Sequence, residues 1–359
     1  MPFKKPYKRK TTRKGVSKAT TQKIAKATTQ KIAKQVVKSE LKKTVELKYM
    51  DTVEFRGQQP YLPPNPSARK FSCVGFSTSK NGNSVGGEIQ YPAGHGIEEL
   101  EMLRPFHTSA SPSNLRKYAI DGREINPIQA QTKYVITRDI SEMKATLTVP
   151  VTGQNDNRLP PFTQVMPGKV ALGCPVVCRM IEVIPSLSSG INKDVRPADD
   201  LFLDTYGTSM GVDTVGIDNY DILTCKVNKR RYKVKKDIKF QIQNPFNVNW
   251  VPVHQADPPG SSGGGNTIIT AYQPQLANNS RFAQKFITSN YQLSQRKGGK
   301  IFYDDPNIDE NATAGHQRTY TFFHFVYVGG DDVTGSDYEV HAPLDIRIDT
   351  HSISKFSDM

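Results

Sequence analysis

Charge is not spread evenly along this chain. Residues 1–43 hold fifteen Lys or Arg against a single acid, Glu40, and that net +14 equals the net charge of the whole 359-residue sequence. Residues 44–359 are therefore neutral, with thirty-three bases balanced by thirty-three acids. This partition constrains the fold. Residues 1–45 contain two aromatics, Phe3 and Tyr7, and are mostly Lys, Thr, Ala and Gln. They cannot bury enough apolar surface to offset the entropy of ordering, and they are expected to be disordered in isolation. Any core must come from residues 46–359.

The basic segment has two blocks. Lys4–Lys14 (KKPYKRKTTRK) is a dense run interrupted by Pro6, and the octet KATTQKIA then occurs twice in succession, at 18–25 and 26–33. Over Thr20–Leu41 the apolar residues Ile24, Ile32, Val36, Val37 and Leu41 fall near one face of a helix. Thr28 and Thr29 weaken that pattern, so helix is expected to form on contact with a polyanion. Phosphate neutralisation dominates non-specific nucleic-acid affinity and needs no particular base sequence. The candidate nucleic-acid ligands are Lys4, Lys5, Lys8, Arg9, Lys10, Arg13, Lys14, Lys18, Lys23, Lys26, Lys31, Lys34 and Lys38. A solubility tail or a targeting segment would carry similar charge, and the same Lys/Arg run suits nuclear import. No apolar stretch follows the charges, as a secretory signal would require. No run approaches the roughly 20 apolar residues of a membrane span.

The body reads as strands joined by long loops. Expected strands are Glu46–Arg56, with Leu47, Tyr49, Val53 and Phe55 as its apolar positions, then Phe71–Phe76, Gln131–Thr137, Met143–Val151 and Val176–Ile184. Tyr220–Val227, Arg231–Lys235 and Ile238–Ile242 resemble a meander, and Thr319–Val328 and Leu344–Ile348 close the set. Only Ile97–Met102 and Ser280–Ile287 suggest short helices. Long loops are expected at Gly57–Pro66, Gly153–Lys169, Leu187–Pro197, Pro252–Asn266 and Gln295–Thr313. Many strands without βαβ alternation predict an all-β antiparallel sandwich or barrel. The division is then a basic arm, 1–45, and a β domain, 46–359, with loop insertions.

A second basic cluster lies at Lys226, Lys229, Arg230, Arg231, Lys233, Lys235, Lys236 and Lys239, with Asp237 its only acid. Alternation of Tyr232 and Val234 with Lys233 and Lys235, and of Ile238, Phe240 and Ile242 with Lys239, predicts one basic face and one apolar face. Lys229, Arg230, Arg231, Lys233, Lys235 and Lys239 are the candidates there for nucleic acid. A solvated strand face, or bases paired with acids such as Asp199 and Asp200, is the alternative.

Enzyme chemistry finds no support. There is no GxxxxGK[ST] phosphate loop: Gly298-Gly299-Lys300 precedes Ile301 and lacks the earlier glycine. There is no GxSxG elbow. The seven His, at 95, 107, 254, 316, 324, 341 and 351, form neither HExxH nor a His-x-His pair. His324 reads as a core histidine. Cys174 and Cys178 lack further ligands for zinc, and four Cys in a chain of this length form no disulfide framework. The Asp pairs at 199–200, 304–305 and 331–332 are candidate Ca²⁺ ligands at subunit contacts, against the plainer reading of loop acids. Trp250, in NPFNVNWVP, is a core anchor or an interface residue.

Several stretches together resemble the capsid proteins of small circular single-stranded DNA viruses that encode a rolling-circle replication protein, the circovirus-like and geminivirus-like group. They are the basic arm running into ELKYMDT (Glu46–Thr52), CRMIEVIP (Cys178–Pro185), NYDILTCKVNKRRYKVKKDIKFQI (Asn219–Ile242) and RTYTFFHFVYVGGDD (Arg318–Asp332). The resemblance covers about a third of the chain. It implies a jelly-roll domain that self-assembles into an icosahedral shell, packages single-stranded DNA on its arm, and enters the host nucleus through the import machinery. It implies a structural protein of the virion and no enzyme. A small RNA virus capsid shares the arm-plus-sandwich plan, and a cellular DNA- or RNA-binding protein with a basic tail is the rival of another class.

Overall fold

The structure is a computed structural model. It describes residues 23, 25–36, 46–51, 57–64, 71–78, 89–100, 102–103, 119–138, 175–186, 195–243, 246–255, 268–278, 283–303, 315–327 and 342–358. The expected strand Met143–Val151 and loop Gly153–Lys169 lie outside the described residues, as do Cys174, Asp304, Asp305, Asp331 and Asp332.

Residues 25–36 form a helix, α1, exposed along its whole length. It falls within Thr20–Leu41, the run expected to become helical on contact with a polyanion. Ala and the straight-chain Lys and Gln favour helix, and Thr29 bonds its hydroxyl back to Ala25 O at 2.9 Å instead of breaking the turn.

Among the described residues, two five-stranded sheets make most of the body. Sheet A has the order β1 (Glu46–Asp51), β15 (Ile346–Asp358), β4 (Glu124–Arg138), β12 (Gln284–Asn290), with β13 (Ile301–Phe302) also on β4. Sheet B runs β3 (Glu98–Glu99), β2 (Phe71–Ser77), β14 (Tyr320–Tyr327), β5 (Val176–Pro185), β9 (Tyr232–Ile242). The eight longer strands of these sheets pair in nested fashion. First meets last (β1 with β15), second meets seventh (β2 with β14), third meets sixth (β4 with β12) and fourth meets fifth (β5 with β9), all antiparallel. The all-β antiparallel expectation is met.

Aromatic and β-branched side chains fill the space between the sheets. Tyr134 of β4 meets Phe323 of β14 and Phe76 of β2 at ring-centroid distances of 5.1 and 5.5 Å, beside buried Met180, Ile348 and Phe356. Each fully buried Phe or Met contributes about 1.5–3 kcal/mol relative to exposure. A second core lies on the other side of sheet B. There Phe71, Ile181, Val183 and Phe322 pack against a layer built from α2 (Pro197–Asp200), β6 (Phe202–Leu203), β7 (Ser209–Met210), α3 (Asn219–Thr224) and β8 (Lys226–Val227). Sheet B is thus covered on both faces. That explains why β2 and β14 are buried at every position and why both read as continuous apolar runs. β10 (Phe246–Gln255) and β11 (Ile268–Asn278) form a separate antiparallel hairpin. It occupies part of the expected loop Pro252–Asn266.

Three local expectations are corrected. Ile97–Met102 is no helix: Glu98–Glu99 runs parallel to β2, and Leu100 N bonds to Ser77 O at 2.7 Å. Of Ser280–Ile287, the part from Gln284 on belongs to strand β12, on the edge of β4. Tyr220–Thr224, expected as strand, is helical because Asp218 and Asp221 form a reciprocal capping box at its start. In the first two cases, ladder hydrogen bonds to an existing strand outweigh weak local helix propensity.

Strand β1 is also turned over relative to its expected face. Leu47 and Tyr49 are 50% and 43% exposed, whereas Met50 and Lys48 point inward. The Lys48 ammonium donates to Ala119 O at 2.6 Å, Asp121 Oδ2 at 2.6 Å and Asp358 Oδ2 at 2.9 Å. Three acceptors satisfy the charge, so the alternation argument, which places Lys outside, fails here.

Candidate nucleic-acid interface

Of the arm candidates, Lys23, Lys26, Lys31 and Lys34 are described, and all are exposed. At 100° per residue, Lys26, Lys31 and Lys34 fall on the side of α1 opposite Ala25, Ile32 and Val36. Lys4, Lys5, Lys8, Arg9, Lys10, Arg13, Lys14, Lys18 and Lys38 lie outside the described residues. A cationic helix face presents several donors to a phosphate chain at once.

The second cluster sits mostly on β9, the outer strand of sheet B. Its predicted single basic face is corrected. The pairing with β5 slips between Glu182 and Val183: Glu182 faces Lys236 and Val183 faces Val234, so Lys235 has no partner. This β-bulge changes the phase of the alternation. Tyr232 and Val234 accordingly lie with Val183 against the second core, while Phe240 and Ile242 lie with Cys178 and Val176 toward sheet A. Lys233 and Lys239 therefore project from opposite faces. They share the strand's edge position, from which long stems reach solvent on either side. Lysines there also deter the addition of a further strand.

The turn that leads into β9 is fixed from below. Asn228 is buried, and its amide donates to Asp200 O at 3.1 Å and Ser209 Oγ at 3.2 Å, while its Oδ1 accepts from Arg230 N at 3.1 Å. Asp200 is occupied: it accepts from the Tyr232 hydroxyl and, at 2.9 Å, from Arg231 Nη1. Burial raises its pKa, against the lowering effect of Tyr232, Arg196 and Arg231. Arg231 is thus committed to the fold, and Asp200 has little to offer a cation. Among the described residues no group of His, Cys, Asp or Glu is placed to hold a metal ion.

Asp237, the one acid of the cluster, serves Arg179. The guanidinium donates to its two carboxylate oxygens at 2.9 and 2.7 Å and to Ile222 O at 2.7 Å, and it lies over the Phe202 ring at 5.4 Å. Burial would raise the Asp237 pKa, but Arg179, with Lys239 nearby, holds it below the ordinary value. Lys236 closes the gap between the sheets by donating to Thr288 O and Ser289 Oγ, both at 3.0 Å. Lys226, Lys229, Arg230, Lys233, Lys235 and Lys239 are exposed and carry no ion pair among the described residues. The cluster keeps most of its positive charge because its counter-ion is used inward.

His324 is the core histidine expected. It is fully buried, with Nε2 against the Tyr91 hydroxyl and Nδ1 3.3 Å from Arg179 O. Burial lowers its pKa to about 3, and the Arg179 charge adds to the effect. Cys178 packs between the sheets, and Cys73 lies on the opposite face of sheet B. Sequence reasoning missed Arg179 and Asn228. The available signal was a lone Arg inside the apolar run VVCRMIEVI, which calls for a buried partner. Among the described residues no helix is long and apolar enough to cross a membrane. No protein-family model matches the chain, and no curated protein matches it either.

Proposed function

We propose that this chain is a viral capsid protein, a jelly-roll shell subunit that holds single-stranded DNA on its basic N-terminal arm. The observation that carries the reading is the nested pairing of the eight longer strands, 1–8, 2–7, 3–6 and 4–5, divided between two packed sheets. A long antiparallel hairpin wound on itself gives that order, which is the double Greek key of jelly rolls. A basic arm on one end of a neutral sandwich supports the division of labour: the sandwich tiles and the arm meets the genome. The resemblance to capsid proteins of the small circular single-stranded DNA viruses supplies the genome type.

The mechanism is multivalent. Each Lys or Arg that neutralises a phosphate releases a counter-ion, and tethering many arms in one shell converts weak contacts into strong retention. Contacts of this kind need no base sequence, as packaging of a whole genome requires. The Lys4–Lys14 run doubles as a nuclear import signal.

Negative-stain electron microscopy of the purified full-length protein, with absorbance at 260 and 280 nm, tests the proposal. Uniform closed shells rich in nucleic acid are expected. A small monodisperse species that binds nucleic acid without forming particles would overturn it in favour of a cellular binding module.

A further inference from the structure

Between β8, the start of β9 and Leu203 of β6 the surface opens into a groove of ≈ 890 Å³. Its floor is apolar, from Leu203, Val227 and Val234, and its cationic residues are Lys226, Lys229 and Lys233. The volume falls within the range of small-ligand sites, which combine apolar walls with a few placed polar groups. The three lysines carry no ion pair among the described residues. Asp237 also lines the groove, but Arg179 holds both its oxygens, so it does not repel an anion at full strength. Lys229 stands on the turn that Asn228 pins from below, which limits the entropy lost on binding.

We propose that this groove is a nucleotide-binding site for single-stranded nucleic acid, with backbone phosphates on Lys226, Lys229 and Lys233 and a base laid on Leu203, Val227 and Val234. Guarding a strand edge requires exposed lysines alone. It explains neither an apolar floor nor a braced turn. Aliphatic side chains accept any base face, so the site discriminates little among bases. The inference rests on the reading of the chain as a binder of single-stranded nucleic acid, and it adds a second contact to that of the arm.

The test uses the full-length protein and a short oligodeoxythymidine carrying iododeoxyuridine. Photocrosslinks are mapped by mass spectrometry, and affinity is measured across a salt series. Two variants are compared with the parent: Lys226→Gln/Lys229→Gln/Lys233→Gln, and the arm variant Lys4→Gln/Lys5→Gln/Lys8→Gln/Arg9→Gln/Lys10→Gln. Crosslinks at Leu203 and 226–234 are expected in the parent and the arm variant and lost in the groove variant. The salt slope of the groove variant should be shallower by about 2, since each single-strand phosphate contact contributes about 0.7. Crosslinks elsewhere with an unchanged slope in the groove variant would overturn the groove while leaving the arm reading intact. Altered particle formation with unchanged crosslinks would assign the lysines to acids of a second copy and also overturn it. Absence of binding by the parent would overturn the nucleic-acid reading itself.

Discussion

Arg179 and Asp237 form a two-pronged ion pair between adjacent strands, with N···O distances of 2.9 and 2.7 Å. Arg179 is 3% exposed and lies between sheet B and the layer that covers it. Removing one partner of such a pair leaves a buried charge uncompensated, at about 3–5 kcal/mol for a fully buried pair. Asp237 is partly exposed, so water screens part of that loss. Asp237→Asn is expected to destabilise the fold by about 2–3 kcal/mol, read as a lower denaturant midpoint. An unchanged midpoint would remove Arg179 from the account of how the layer is held.

Acid should destabilise the fold through its histidines. His324 is buried and His316 half-buried, and desolvation lowers their pKa values to about 3 and about 4, against an ordinary 6.5. Between those values the unfolded chain binds more protons than the folded one, so stability is fully present above pH 6.5 and falls as the pH drops toward about 4. The slope is up to about 1.4 kcal/mol per pH unit for each group. Glu182, Asp200 and Asp213 act in the opposite sense. Burial raises their pKa values, so the stability they contribute is present below the ordinary carboxylate range and lost as the pH rises through the raised values. They make the acid-side fall shallower. Thermal unfolding of His324→Gln from pH 7 to 4 should show a weaker pH dependence than the parent, and an equal dependence would place the effect elsewhere.

Deleting Lys235 should be tolerated. It is the unpaired residue of the bulge, and Val234 and Lys236 already face the neighbouring positions Val183 and Glu182. Removing it closes the ladder without moving either apolar set to the wrong face. The expected cost is within about 1 kcal/mol, as for changes that leave the core in place. Deleting Gln241 instead would shift Ile242 out of phase, and that variant should unfold far more readily in a thermal melt.

Lys48→Met should cost about 3 kcal/mol despite its greater hydrophobicity. It would strip Asp358 of a cation in a site where the Lys48 side chain is 1% exposed, and breaking such a pair is worse than never having one. Burial would lower the Lys48 pKa, but the hydrogen bonds and charges of Asp121 and Asp358 outweigh it and raise the value. A melting midpoint equal to that of the parent would show the ammonium to be incidental to β1.

Deleting residues 1–43 is expected to remove nucleic acid from purified particles and to leave the thermal midpoint within about 2 °C of the parent, because residues 25–36, the described helix of that segment, are exposed and exposed elements contribute little to folding. Ile32 of α1 is 54% exposed. Unchanged nucleic-acid content in the particles would refute the arm's role.

The strands most legible in the sequence were those buried on both sides. VVCRMIEVI and TYTFFHFVYV announced β5 and β14 because a doubly covered sheet demands apolar residues at every position. Edge elements were not legible in this way. SRFAQKFI (Ser280–Ile287) looked helical because an edge strand needs only one apolar face, and β12 buries little beyond Ile287. The reversed face of β1 and the split face of β9 had different causes. One turned on three acceptors distant in sequence from Lys48, the other on a single extra residue opposite Glu182. Neither is visible to a rule that counts alternation within one segment.

The place of β15 sets a schedule for synthesis. Within sheet A it separates β1 from β4, and it is the sole strand that β1 pairs with among the described residues. The first strand must therefore wait until residues 346–358 have been made before its ladder can close. Pairings of such long sequence separation form slowly. Under the proposed function, the basic segment of residues 1–43, made long before β15, can meet a polyanion before sheet A closes, so the order of synthesis favours binding first and folding second.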